Sequence, residues 1–319
     1  MAKTKFLFSS DFHGSETVWR KFLNASRHFD LDALILSGDM TGKLMIPIIE
    51  QPEGTYDAWH MGEYHQLTKD ELPDFMHKLR MITYMPKIMD DDEVNRIAGS
   101  SEYKEAVFEE LEQETIRHWI SLIPDRVPPK CKVIMSPGND DKLSIDDVIR
   151  AESKNVPQVI FGEEEVVPLD DEHEVLCFGW SNTTPFDSPR ELTEEEMEVR
   201  LEATVAKVKN LQTAVFCIHV PPYASVIDEA PMVDENLNLV VKGAHVRTIP
   251  AGSKAVRKII EKYQPLLGLH GHIHESPGFV RIGRTQSLNP GSEYTEGIFK
   301  GFLVEIDGPK ITQLRRVEA

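Results

Sequence analysis

Apolar residues in this chain follow two patterns. Short, nearly continuous runs bounded by Gly, Asp, Asn, His or Pro read as buried strands, and apolar positions three or four apart read as one-sided helices. Residues 4–10, 31–37, 132–135, 214–218 and 266–269 are of the first kind. Val18, Phe22, Ala25 and Phe29 form a helical stripe after the first run. Met197, Leu201, Val205 and Val208 form another, after the capping-box sequence Thr193-Glu194-Glu195-Glu196. Ser253 is placed to cap a third helix, with Val256, Ile259, Ile260 and Tyr263 inward. Residues 158–180 read as a meander of short strands, and residues 283–319 as further strands with a turn at Asn289-Pro290-Gly291. Strands alternating with helices, with polar residues at the strand ends, predict an α/β domain whose ligands gather at one edge.

The alternation breaks at Met40. Residues 43–54 hold an apolar piece and a turn at Pro52-Glu53-Gly54, and residues 57–123 read as helices broken near Pro73, Pro86 and Gly99. Between Lys43 and Lys130 there are 10 basic and 18 acidic side chains, the run Asp90-Asp91-Asp92-Glu93 among them, as on a solvated face. The expectation is a single domain over residues 1–319 with a helical insertion at 57–123, which covers the site or makes a homodimer contact.

Composition narrows the partners. With 35 Lys and Arg against 53 Asp and Glu, the net charge is −18. Such a surface repels a phosphate backbone, and with no basic run to offset it, no stable nucleic-acid complex is expected. Cys131, Cys177 and Cys217 each lie in a short apolar run and read as buried thiols in a reducing compartment. The first residues run into a strand with no signal-peptide core, and no apolar stretch approaches the roughly 20 residues of a membrane span. A soluble, cytoplasmic protein is expected.

The strand ends carry the chemistry. Residues two apart on extended chain point to one side, so Asp11 and His13, and likewise His272 and His274, can each aim two polar groups into one volume. Gly38-Asp39 and Gly138-Asn139-Asp140-Asp141 end two further runs, and His219 ends another ahead of Val220-Pro221-Pro222-Tyr223. Singly, a Gly-Asp is an ordinary turn and a His-x-His a packed pair. Together, Asp11, His13, Asp39, Asn139, His219, His272 and His274 are seven N/O donors without sulfur. That is too many for one tetrahedral zinc and suits two divalent transition ions sharing a carboxylate.

The order and spacing of these motifs (D-x-H, G-D, G-N-D, H, G-H-x-H) resemble the calcineurin-like metallophosphoesterase superfamily, from Lys5 to about Gly301 with the insertion skipped. Gly38-Asp39-Met40-Thr41-Gly42-Lys43, Gly179-Trp180-Ser181-Asn182 and Asn289-Pro290-Gly291-Ser292-Glu293-Tyr294 are similar to a prokaryotic subgroup of predicted phosphoesterases within it. The resemblance implies a four-layer α/β/β/α sandwich. It also implies a first metal on Asp11, His13 and His274, a second on Asn139, His219 and His272, and Asp39 bridging them. Two Mn, Fe or Zn ions and a small phosphate-ester substrate are then expected, with hydrolysis by a metal-bridging hydroxide.

One position departs from the superfamily pattern, in which a histidine that contacts phosphate follows Gly-Asn. Here it is Asp140, which with His219 is the candidate catalytic residue. An ionised Asp140 would repel a monoester dianion more than a diester, so a phosphodiesterase is expected, with a phosphomonoesterase or a non-catalytic protein-binding scaffold as alternatives. His270 reads as a core or supporting histidine, Asp141 as a helix cap or a partner to the ligands, and Trp180, Asn182 and Tyr223 as pocket or packing residues.

Overall fold

The computed structural model describes residues 3–243 and 245–319. The fold is mixed α/β, as expected. One six-stranded sheet runs in the order Lys310–Glu318, Lys300–Asp307, Thr4–Ser9, Ala33–Ser37, Lys132–Ser136, Val159–Phe161. The other runs Gly278–Ile282, Thr285–Asn289, Leu267–Leu269, Val215–Ile218, Glu174–Phe178, Val166–Pro168. The inner strands that carry the polar ends are parallel: Thr4–Ser9 with Ala33–Ser37 with Lys132–Ser136, and Val215–Ile218 with Leu267–Leu269.

Period-two alternation sends each strand's side chains to two different cores. Phe6, Phe8, Ile35 and Ile134 of the first sheet share one buried cluster with Val175, Cys177, Val215, Cys217, Leu267 and Leu269 of the second. Leu7, Leu34, Leu36 and Val133 face the other way, onto Trp19 and Phe22 of helix Glu16–His28 and Trp119 and Ile120 of helix Ser101–Ser121. On the far side, Leu176, Phe178, Phe216 and Ile218 pack on Met197, Leu201, Val256, Ile259 and Ile260. The helices over this face start where expected: Thr193 and Glu196 close a capping box, and Ser253 accepts from the Val256 N–H. All three cysteines are free and buried. Among the described residues, no helix is long and apolar enough to cross a membrane.

Two expectations are corrected. Residues 158–180 form only part of a meander: Val166–Pro168 and Glu174–Phe178 pair antiparallel in the second sheet, but Val159–Phe161 ends the first sheet, so this stretch crosses between them. The 57–123 segment, expected to be helical, is helical only in part. Leu44–Glu50, Tyr56–His60, Glu63–Leu67 and Tyr84–Met89 form a four-stranded sheet, and helices Leu72–Met81, Asp91–Gly99 and Ser101–Ser121 accompany it. The hairpin turns on Met61-Gly62, with φ of 51° and 81°. Left-handed backbone at both central residues is the hairpin geometry that Asn-Gly usually announces, and Met-Gly gives no such signal. Pro86 is tolerated because its strand lies at the edge of the sheet.

The segment is tied into the main core by its last long helix. The Trp19 and Trp119 rings stack at 5.0 Å with an 8° interplanar angle, and the Trp19 indole N–H donates to Trp119 O at 3.0 Å. Trp119→Ala is expected to lower the unfolding free energy by about 3–5 kcal/mol, as for other buried aromatics, which urea titration would measure. A second test concerns Glu163, a buried carboxyl that accepts from the Gly179 N–H. Burial raises it to about 8 from an ordinary 4.5. The folded chain therefore keeps a proton that the unfolded chain releases, and stability falls as pH rises across that window. Glu163→Gln should flatten this slope in melting temperatures compared near pH 5 and near pH 8.

Candidate metal centre

Five strand ends meet where the two sheets face each other, and their loops adopt unusual backbone there. Asp11, His13, Asp39 and His272 have φ of 61°, 42°, 50° and 67°. Left-handed backbone costs a residue with a Cβ on the order of 1 kcal/mol or more and is found where surrounding structure enforces it. The enforcement is visible in hydrogen bonds between loops: His13 N–H donates to Asp39 O at 2.8 Å, and Asp11 N–H to Gly38 O at 3.1 Å. Two glycines permit the approach. A Cβ at Gly271 would overlap Ser10 Oγ and the Asp11 carboxylate, and one at Gly138 would overlap the Asp39 carboxylate and backbone.

All seven expected ligand residues come together. Asp11, His13, Asp39 and His274 offer donor atoms within 4.8 Å of one another, as do Asp39, His219 and His272. Asp39 belongs to both groups. Asn139 completes the second, its Oδ1 lying 2.6 Å from His272 Nδ1 and 3.0 Å from His219 Nε2. In the first group, His13 Nε2 and His274 Nε2 are 3.2 Å apart, with Asp39 Oδ2 3.6 Å from His13 Nε2 and Asp11 Oδ1 3.5 Å from His274 Nε2.

The protonation pattern tests whether cations fit. A backbone carbonyl only accepts, so His219 Nδ1, 2.6 Å from Ser37 O, carries the proton and turns the Nε2 lone pair inward. Asn139 Nδ2 donates to Asp140 Oδ1 at 3.0 Å, which fixes the amide oxygen toward the same point. The His219 lone pair, Asn139 Oδ1 and Asp39 Oδ1, 3.4 Å from Nε2, therefore confront one another as acceptors. Either a proton on Nε2 or a cation in its place resolves the conflict, and imidazole, amide oxygen and carboxylate together are a donor set that fits a divalent ion.

Electrostatics favour positive charge at this point, whether a proton on Nε2 or an ion in its place. Burial opposes charge on His219, but the Asp39 and Asp11 carboxylates outweigh it and raise the imidazole to about 10. Burial and the neighbouring His219 depress His272 to about 3, and burial with His274 depresses His13. Burial raises Asp39 to about 6, helped by Asp140 and Asp11, whereas the imidazoles around Asp11 hold its carboxyl low despite burial.

The supporting residues are less legible from sequence. Asp141, fully buried, accepts from the N–H groups of Met40, Thr41 and Gly138 and from the Thr41 hydroxyl, locking the Asp39 loop to the Asn139 loop. Arg190, also fully buried, donates to Asp141 O and Lys142 O beneath it. His270 is outside both groups; its Nδ1 donates to Ile218 O at 2.8 Å. Tyr294 sets its ring 4.6 Å from that of His13 and 5.7 Å from that of His274, and the Ser292 hydroxyl donates to Asp11 O. Trp180 packs with the far core beneath Arg200.

The centre opens into a cavity of about 1160 Å³. Asn182, Tyr223, Lys43 and Asp140 line it, together with Phe108 and Glu112 from helix Ser101–Ser121 and the apolar Leu239 and Ile249. Asp140 faces the cavity. It accepts from the Ser188 hydroxyl at 2.7 Å and is ion-paired with Lys43. Burial would raise its pKa, but the Lys43 ammonium outweighs this and Asp140 lies at about 2.

No family model matches the chain. A relative, the uncharacterized protein MJ1162 of Methanocaldococcus jannaschii, is 34% identical over 161 residues, which span 50% of this chain and 63% of that protein. The chain thus matches less than two thirds of the relative's length. Among solved structures, one crystal structure with 17% identity aligns at a TM-score of 0.60 over 100% of this chain and 99% of its own. The protein TT1561 of Thermus thermophilus, 14% identical, aligns at 0.56 over 99% of both. At these identities the likeness establishes a shared α/β fold, and the chemistry rests on the geometry of the centre.

Because Asp39 serves both groups, Asp39→Asn should cut metal retention at both positions more than tenfold after manganese loading, while His274→Ala should chiefly empty one. Elemental analysis per chain distinguishes the two patterns, and Asn is a substitution that tolerates left-handed backbone.

Proposed function

We propose that this chain is a metal-dependent phosphoesterase with a pair of divalent transition ions. The observation that supports this most is the sharing of Asp39 between two buried donor groups, one completed by Asp11, His13 and His274, the other by Asn139, His219 and His272. Imidazole, carboxylate and amide oxygen without thiolate favour Mn, Fe or Zn over Ca or Mg. When bound, such a pair supplies positive charge to phosphoryl oxygens and lowers the pKa of a water at the site.

The chain's own groups do the rest. Asp39 and Asp11 set the negative charge that retains the ions. His219, expected to be catalytic, serves as a ligand with its tautomer fixed by Ser37 O. The cavity walls orient the ester beside the centre. No serine or cysteine is needed as a nucleophile.

Selectivity between diester and monoester is revised. The expected preference for diesters rests on an unpaired Asp140 carboxylate. Lys43 pairs with it, and a neutral pair removes most of the repulsion that would penalise a dianion. The reading is therefore a phosphoesterase with no charge-based bias against monoesters. A protein-binding scaffold of the same fold is the weaker reading, since it gives no reason to hold four polar residues in left-handed backbone around one point.

A screen of aryl phosphomonoesters, diesters and cyclic nucleotides with manganese present tests the proposal. Hydrolysis that is lost on chelation and restored by metal is expected. Two ions bound per chain with no turnover of any ester would leave the scaffold reading standing.

A further inference from the structure

The anionic centre has to admit an anionic ester, so the cavity's cations bear on how the ester is held. Lys43, Lys104, Lys142 and Lys254 line it. Three are engaged away from the metal ligands: Lys142 pairs with Glu105 at 2.8 Å, Lys104 lies 5.9 Å from the Phe108 ring centroid, and Lys254 lies 5.5 Å from that of Tyr223. Lys43 differs on each count. It follows Asp39 by four residues on the same loop, and its ion-pair partner is the residue next to Asn139.

The pair is built asymmetrically. The Asp140 side chain is 19% exposed and that of Lys43 52%. Asp140 is anchored through Oδ1 by the Ser188 hydroxyl at 2.7 Å and Asn139 Nδ2 at 3.0 Å, and its backbone N–H donates to Asp39 Oδ1 at 3.0 Å. That leaves Oδ2 to hold the ammonium. An ammonium has three N–H donors, so one can bind Asp140 while the others face the cavity.

We propose that Lys43 is the side chain that binds the substrate's phosphoryl group beside the metal centre, with Asp140, braced by Ser188, positioning it. The inference rests on the phosphoesterase reading and adds to it the residue that binds the ester. Asp140 is a positioning residue in this arrangement and acts through Lys43. The departure of Asp140 from the superfamily's histidine is thereby compensated from another loop: the cation that meets phosphate comes from position 43 instead of position 140.

The test uses the full, manganese-loaded chain with inorganic phosphate as probe, followed by calorimetry and by competition against an aryl phosphate. Lys43→Met should weaken phosphate binding and lower kcat/KM by about 10–100-fold, the range for a charge-assisted hydrogen bond, with metal content unchanged. Lys43→Arg should recover most of the loss. Asp140→Asn should shift both quantities in the same direction by less, and should add little on top of Lys43→Met, because coupled residues are non-additive. Phosphate affinity and turnover equal to wild type in Lys43→Met would overturn the proposal, as would losses that track loss of metal. If wild type hydrolyses no ester yet binds phosphate in a Lys43-dependent way, the phosphoesterase reading fails while the Lys43 site stands.

Discussion

Two carboxylates out of water dominate this structure. Asp11 and Asp39 are 0% and 2% exposed at the junction of two apolar sheets, where unpaired negative charge is costly. The surrounding loops answer that cost. The His272 N–H reaches both oxygens of Asp11 at 3.0 and 3.1 Å, and the Asp140 N–H reaches Asp39. Four imidazoles complete the shell, and burial sets how many of them can be charged. The close glycines and the left-handed residues are the backbone form of the same requirement, since they let five loops converge on one point.

How much of this can be read in the sequence depends on the range of the interaction. Asp11 with His13, and His272 with His274, are visible because extended chain repeats every two residues and the apolar run before each fixes where the strand ends. Asp39, Asn139 and His219 are visible for the second reason alone. Lys43 with Asp140, and Asp141 with the Asp39 loop, are contacts between distant segments, and no local rule pairs them. Arg190 is the extreme case: a fully buried guanidinium under the Asn139 loop, with no local pattern to announce it.

The four-stranded sheet at 44–89 is hidden for a different reason. The turn at Pro52-Glu53-Gly54 marks its first hairpin, but its second turns on Met-Gly, two of its strands contain proline and its outer faces are wet, so alternation does not mark the rest. The helix after it is legible as a helix but not as a core element. Of the stripe Val107, Leu111, His118 and Leu122, Val107 and Leu111 are buried, but so are Ile116, Trp119 and Ile120, and His118 lies beside Glu16 at 3.0 Å. The stack of Trp119 on Trp19 makes this segment part of the main core and fixes the wall it contributes to the cavity.

The ligands come from widely separated segments, and His13 and His274 are 261 positions apart. The first donor group waits for His274, and the second waits for His219 and His272. The strand that holds Thr4–Ser9 from its outer side, Lys300–Asp307, comes later still. During synthesis, then, neither group can be complete until the residues up to His272 and His274 have left the ribosome. Any ion that the complete centre takes is acquired only after strands of both sheets have been made, from whatever metal pool they then meet.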